Sequence, residues 1–534
     1  MLKKYFSNIK FQHFVLLFVG AVVIYAELMI HQLTNGNDGV WESSFHNAGA
    51  WELSLGRWFW QYISRLRFGT SVDPYTSLIT LALMVMGLLL LFDLWQITDK
   101  YTIIISGLLF LSHAAICFEL SYRYMSPTFG VAFLLSILAV WCFEKVNQPI
   151  ISVLAGALCI VCSMGSYQAY ICCTAVAFLT ALLIKLARNV NWKNILIFCG
   201  KSITGIVLGG IGYIIVLNIY LRQSGIEMSD YQGGSSYSIL NSIQCLPESM
   251  YKVYQFFTLY FRGVLYKINR MQGKHIFTVM FVLVCILIIL RILKLWKQDK
   301  LKAVLFGGVA FLYPAAALSI LMITTDIGLA LQMACGPALF LTALPCLFYC
   351  GGNSPEEKTE ETGNEPLHRK CSKIIDKGNR MIYRIFVLFM CVVLYGSICQ
   401  VVIDQNTMYE GRVATETIAD MIVDKLLQED LIQSDYRYVF VGTPVSCLLY
   451  SVGPNYAYSN YYALYGAWYL GNNCAKSWNG VIKNRKGLYL DMVMGPEYEA
   501  LSSSEMVEGM PQFPDKGSIL LDDNIVYVKI GNAK

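Results

Sequence analysis

The sequence predicts a mainly α-helical, polytopic membrane protein that ends in a small α/β domain. Three observations predict it. The chain of 534 residues is 56% hydrophobic and 14% charged, whereas soluble domains are about half apolar and about a quarter charged. The apolar excess lies in blocks near the length that crosses a bilayer, about 20 residues. From residue 404 onward the composition returns to that of a soluble domain.

The predicted spans are 11–31, 76–96, 102–118, 127–143, 149–164, 166–187, 194–218, 275–293, 302–323, 327–350 and 381–403, about eleven in all. The first is too long for the core of a signal peptide, and no A-x-A-like site follows it, so it is expected to stay as an anchor. Only MGSYQ (164–168) separates the fifth from the sixth. Lys3, Lys4 and Lys10 precede the first span, and KLARNVNWK (185–193), RILKLWKQDKLK (291–302) and HRKCSKIIDKGNRMIYR (368–384) are basic. Basic loops stay in the cytoplasm. This sets the N-terminus inside the cytoplasmic membrane and places 31–75, 119–126, 219–274 and 404–534 outside. The loop 219–274 has six basic residues of its own and weighs against this topology, but long loops count for less. GGNSPEEKTEETGNEPL opens a segment, 351–380, that reads as a disordered cytoplasmic loop.

Two domains follow, 1–403 in the membrane and 404–534 outside it. In the second, RVATETIADMIVDKLLQ (412–428) has helical spacing. YVFVG (438–442) reads as a buried strand, and SILLDDNIVYVKI (518–530) as a hairpin turning at Asp522, Asp523 and Asn524.

Several chemistries are disfavoured. The formal charge of +5 is small and scattered, so no nucleic-acid partner is expected. Most of the 17 cysteines fall inside apolar runs, where they pack as small hydrophobes. Cys245, Cys447 and Cys474 fall outside the spans, and a Cys447–Cys474 disulfide is one arrangement open to them. The six histidines form no pair at ligand spacing. There is no G-x-G-x-x-G after a strand, no phosphate-binding G-x-x-x-x-G-K-[ST] and no G-x-S-x-G.

The candidate residues gather in the loops assigned to the outer side. NGNDGVWESSFHNAGAWELSLGRW (35–58) combines Asp38, Glu42, Arg57 and Trp58. Phe45, Ala48, Trp51, Leu55, Trp58 and Tyr62 recur at three- and four-residue steps, which predicts one interfacial helix with an aromatic face. An anchor at headgroup depth, with Asp38 in a turn, accounts for the tryptophans; it accounts less well for Glu42 and Arg57, because charges at a bilayer boundary are costly unless used. ELSYRYMSPTFG (119–130) sets Arg123 between Tyr122 and Tyr124, and an arginine fork suits phosphate. Snorkelling is the plainer account of Arg123. In MGSYQAY (164–170), Tyr167 and Gln168 either line a cavity or satisfy a tight reversal. In TTDIGLALQMACGP (324–337), Asp326 reads as an N-cap, and Gln332 as a helix–helix bond or a cavity residue. ESMYKVYQFFTLYFRGVLYKINR (248–270) reads as a second interfacial helix or a lid.

The pattern NDGVW…GRW, then SYRYMSPTFG, GSYQAY and a tail MPQFPDKGSI…DDNIVYVKI resembles the bacterial membrane glucosyl transferase family that modifies O-antigen and related surface polysaccharides, of the GT-C type. The resemblance covers nearly the whole chain. It implies a GT-C-like fold and transfer of a hexose, glucose by this family, from a polyprenyl-phosphate donor to a cell-surface or lipid-linked glycan acceptor at the outer face. Asp38 would then be the general base, Arg123 would meet the donor phosphate, and Tyr167 and Gln168 the sugar. Asn37–Asp38 stands where many GT-C enzymes carry two acids, which leaves a divalent metal open and implies no other cofactor. Two other readings stay open. A flippase for lipid-linked glycans needs ionisable groups deep in the spans, where Glu27 and Asp93 are candidates. A polysaccharide polymerase or ligase needs outer-loop arginines, where Arg222, Arg262 and Arg270 qualify.

Overall fold

A computed structural model describes residues 11–35, 44–231, 244–271, 274–322, 328–349 and 366–532. Among them, seven helices are long and apolar enough to cross a membrane: Tyr75–Leu94, Ser126–Lys145, Pro149–Ser166, Gln168–Ala187, Trp192–Ser224, His275–Trp296 and Met381–Gln428. Lys100–Leu111 and Ala114–Ser121 form an eighth if the pair, bent by 53°, is one span. Phe11–Ile24 and Cys335–Leu347 are shorter apolar helices. This is the architecture of a polytopic α-helical membrane protein.

The remaining expected spans are short or broken. The stretch at 302–323 divides into Lys300–Phe311, Tyr313–Ala317 and the 3-10 turn Ser319–Met322. Pro314 lacks the N–H that a continuous helix would use there. The stretch at 327–350 becomes the 3-10 turn Leu331–Met333 and the helix Cys335–Leu347, and Asp326 lies outside the described residues.

Helix starts follow local chemistry. Asp99 and Asp299 accept from Thr102 N and Lys302 N at 2.8 and 3.1 Å, satisfying N–H groups that a helix leaves orphaned. Proline opens Pro149–Ser166 and sits in the first turn of Ser126–Lys145 and Leu246–Phe261, where its missing N–H costs nothing. Small residues let the helices approach closely: the Phe143 ring lies against both Gly156 and Gly205.

The two acids expected in the spans, Asp93 and Glu27, are partnered. Asp93 accepts from Trp141 Nε1 at 2.8 Å and lies 3.1 Å from Lys145 Nζ. Glu27 lies 3.6 Å from His31 Nε2.

The expected span at 381–403 and the expected helix at 412–428 are one helix, Pro366–Gln428. The proposed domain border therefore falls inside it. The backbone of 366–380 is helical, which corrects its assignment to a disordered loop; 351–365 lie outside the described residues. Ile418, Ile422 and Leu426 near its end join the core of the C-terminal sheet with Phe440, Trp478, Val526 and Val528. That sheet has the order β2-β1-β4-β3. β1 (Arg437–Val441) runs parallel to β2 (Asp491–Met492) and to β4 (Ile525–Lys529), and β3 (Ile519–Asp522) pairs antiparallel with β4. The hairpin read from 518–530 is the β3–β4 pair. Cys447 and Cys474 are both buried free thiols, so no disulfide joins them.

Asp404 ties the parts together. It accepts from Asn460 N, Asn460 Nδ2 and Tyr462 Oη at 2.8–2.9 Å, and Asn460 accepts from Lys267 N at 2.9 Å.

Candidate active site

The first loop closes on itself before it presents any side chain. Phe45 and Thr70 form an antiparallel bridge, His46 N donates to Gly69 O at 2.7 Å, and Ser71 N donates to Ser44 O at 2.8 Å. Between these ends lie two short helices, Ala50–Ser54 and Trp60–Leu66, rather than the single aromatic helix expected. The break is at Gly56, whose φ of +80° is a left-handed conformation that glycine adopts without strain. A Cβ there would stand 2.5 Å from Tyr213 Oη and 2.7 Å from Gln168 Nε2. The break turns Trp58 and Trp60 inward, while Trp51 stays exposed.

Glu52 holds the first of these helices. Its carboxylate accepts from Gly49 N at 2.6 Å and faces His46 Nε2 at 3.3 Å. Burial alone would raise its pKa, but the bonds from His46 and from backbone N–H groups outweigh burial and leave it below the ordinary value.

Gln168 secures the turn. Its amide nitrogen donates to Leu55 O at 2.7 Å and to Tyr213 Oη at 3.0 Å. Those bonds occupy the group expected to meet a sugar hydroxyl, and Gln168 acts here on the protein's own backbone. Trp58 stacks on Tyr220 at 5.3 Å and packs on Gly165, where a Cβ would lie 2.6 Å from the indole.

Past the turn, the Arg57 guanidinium lies 4.8 Å from the Tyr167 ring centre and 5.9 Å from that of Trp60. Arg57 Nε and the Tyr167 hydroxyl are buried with no hydrogen-bond partner among the described residues. Trp60 in turn stacks on Tyr124 at 6.0 Å. Tyr124 therefore joins Arg57 to Arg123, its chain neighbour. Arg123 is 6% exposed; its Nη1 is 3.5 Å from Gln32 Oε1 and its Nε has no partner. Neither arginine forms an ion pair with a described carboxylate.

A cavity of about 250 Å³ opens beside this wall, lined by Glu52, Arg57, Trp58, Gln61, Tyr220 and Gln223 among others. It lies just below the range of about 300–1,000 Å³ that houses drug-sized ligands. Arg57 and Trp58 line it. Arg123, Tyr124 and Tyr167 do not line it; Tyr167 lies against Arg57.

Gln332 sits in the turn Leu331–Met333, which packs on Ala114–Ser121. Its Oε1 is buried without a partner. Asp38 and Glu42 lie outside the described residues. The chain last described before them, Asn35, donates its N–H to Ser121 O at 3.2 Å, two residues from Arg123. Of the loop arginines, Arg270 stacks on Tyr458 at 3.9 Å.

Two acids escaped the sequence reading. Glu52 was hidden as one charge in WELSLGRW, though its place three residues after Gly49 is an N-terminal helix signal. Glu119 is fully buried in Ala114–Ser121, accepts from Tyr170 Oη at 2.8 Å and leaves Oε1 without a partner. An acid inside an apolar helix is itself a functional signal. Among the described residues no group of three or more His, Cys, Asp or Glu is placed to hold a metal.

Residues 31–344 match the family described as Glucosyl transferase GtrII. The chain belongs to this family. It is thus a glucosyl transferase by family, and its helices place it in a membrane. No curated protein and no solved structure matches the chain. The GtrII region contains every candidate residue from Asp38 to Gln332 and ends before the helix Pro366–Gln428 and the sheet.

Proposed function

We propose that the protein transfers glucose from a polyprenyl-phosphate donor to a surface or lipid-linked glycan, at the outer face of the cytoplasmic membrane. The observation that carries this reading is the pair Arg57 and Arg123. Both have a buried Nε without a partner among the described residues, both lack an ion pair with a described carboxylate, and the Trp60–Tyr124 stack lies between them. Arg123 is buried as a whole, and a buried cation with no ion pair among the described residues is costly, so an anionic ligand is a natural occupant. Membership of the GtrII family supports glucose as the sugar.

The chemistry divides between named groups. Asp38 takes the proton of the acceptor hydroxyl as that oxygen bonds to the glucose C1. The C1–O bond to phosphate breaks, and the electron pair leaves on the lipid phosphate. Arg123 meets that developing charge. Arg57 and Trp58 line the sugar's cavity, Tyr167 lies under Arg57, and Gln168 keeps the turn in place. Glu42, Tyr124 and Gln332 are second candidates for binding donor or acceptor.

Purified protein in detergent, given polyprenyl-phosphoglucose and a glycan acceptor, should release polyprenyl phosphate. Asp38→Asn should lose about a hundredfold or more, the scale of a general base. An Asn variant with full rate overturns the role of Asp38. Movement of lipid-linked sugar across the membrane with no bond cleavage overturns the reaction.

A further inference from the structure

The C-terminal part of the chain, which the GtrII match does not reach, returns two arginines to the turn after the first helix. Arg412 donates through Nη1 to His31 O and through Nε to Glu416 Oε1 at 2.7 Å. Arg485 donates through Nη2 to Gln32 O at 3.2 Å. Arg123 reaches the side chain of the same Gln32. Three guanidiniums from distant parts of the chain thus meet on two consecutive residues.

Helix capping accounts for part of this. Basic groups suit the carbonyls at a helix C-terminus, and Arg412 and Arg485 bond carbonyls just past Ala26–Ile30. It does not account for the Tyr465 hydroxyl. Tyr465 is 1% exposed, has no hydrogen-bond partner for that hydroxyl, and lies in the field of Arg485, Arg412, Arg123 and Glu416. Nor does it account for Arg123 Nε. A guanidinium has five N–H donors; Arg123 and Arg485 each use one here, and Arg412 two.

The facing carboxylates are few. Glu416 pairs with Arg412, and Asp73 lies in the field of Arg123 while accepting from Thr76 and Ser77. Lys486 adds a cation, 2.7 Å from Asp420 and 3.9 Å from Glu416. Burial, and then the like charges of Arg412 and Arg123, hold the Arg485 guanidinium below its usual value despite Tyr465 and Glu416. The Arg412 and Glu416 side chains are 21% and 22% exposed, so the cluster opens to solvent.

We propose that Arg123, Arg412, Arg485 and the Tyr465 hydroxyl form one binding site for a phosphate group, completed by residues outside the GtrII region. A phosphate monoester brings a charge of about −1.5 to −2 and three strong acceptor oxygens, which answer the excess of guanidinium and the free hydroxyl. Arginine forks bind such oxygens in pairs. The site deepens the glucosyl-transfer reading and rests on it for the source: the phosphate is the monoester left on the lipid once glucose has departed, or a free phosphate of the same chemistry.

The test is binding to full-length protein in detergent, with undecaprenyl phosphate, inorganic phosphate and undecaprenol as probes. Arg412→Gln and Arg485→Gln should each weaken undecaprenyl phosphate about tenfold or more, and Tyr465→Phe about threefold. Binding of undecaprenol should not respond. A lipid source predicts that undecaprenyl phosphate binds at least about a hundredfold tighter than inorganic phosphate, and a free source predicts near-equal affinities. Variants that bind both phosphates as the wild type does overturn the site. If the Gln variants do not fold, wild-type protein decides: undecaprenyl phosphate should slow phenylglyoxal modification of Arg412 and Arg485, read by mass spectrometry, and unslowed modification overturns the site. Transfer assays separate the two readings. Phosphate-dependent protection without glucose transfer sinks the transferase and leaves the site. Transfer at the wild-type rate, with both phosphates bound as tightly as by the wild type in Arg485→Lys and Arg485→Gln, sinks the site and leaves the transferase.

Discussion

Arg437 on the C-terminal sheet and Arg123 beside the first loop carry the same group in opposite settings. Arg437 is exposed and binds Glu497 through two nitrogens at 2.6 and 2.8 Å, with Asp491 at 3.8 Å. Arg123 is buried and has no such partner. In water an ion pair gains little, because solvent already screens both charges. Away from water an unpaired cation is expensive and persists only if something else in the molecule or its ligand repays it. The sheet thus uses its charge as surface, whereas at the loop-bearing end of the bundle the proposed function gives the charge a ligand to meet.

The strongest way to break that contrast is Arg123→Gln. Glucose transfer should fall by about a hundredfold or more, the scale of losing one charge-stabilising donor, with little change in thermal stability. An unchanged rate would make Arg123 a structural residue and remove the contrast.

Gly56→Ala comes next. It imposes a positive φ on a residue with a Cβ and crowds Tyr213 and Gln168. The variant should lose roughly 1 kcal/mol or more of stability, read as a lowered midpoint in thermal unfolding, and about tenfold in rate as Arg57 and Trp58 shift. A variant with wild-type midpoint and rate would show that the turn does not position the wall.

Acid should then separate Glu52 from the sheet carboxylates. Because the folded Glu52 pKa is lowered, its contribution is full above the unfolded value of about 4.3 and is lost as pH falls through the folded value. Between about pH 5 and pH 3 the wild type should lose stability that Glu52→Gln has already lost, so the two unfolding curves converge. Curves that stay parallel would exclude Glu52 as a stabilising group.

The smallest effect belongs to Arg437→Gln. Both partners of its main pair are exposed, so neither melting temperature nor transfer rate should change measurably. A clear loss of transfer would show that the sheet face takes part in the reaction.

How far the sequence was legible follows from range. Helices across 75–94, 126–145 and 192–224 are visible because runs of apolar residues respond to local composition. The β3–β4 hairpin is visible because its turn residues and alternation are neighbours in the chain. The first loop was misread as one helix because aromatic spacing cannot reveal that Gly56 turns left-handed against Gln168 and Tyr213, more than a hundred residues away. The join between the last span and the domain helix was also missed, because a change in composition looks like a border even where the backbone continues.

By itself the sequence determined the membrane class, the apolar blocks and the list of polar residues that lipid would not tolerate without a use. Tertiary structure decided which of them meet. It put Gln168 on the backbone rather than in the cavity, and set Arg57 over Tyr167. It also brought Arg412 and Arg485 to the turn beside Arg123. Charge and hydrogen bonding act over a few ångströms of space, and only the folded chain brings positions 32, 123, 412 and 485 within that distance.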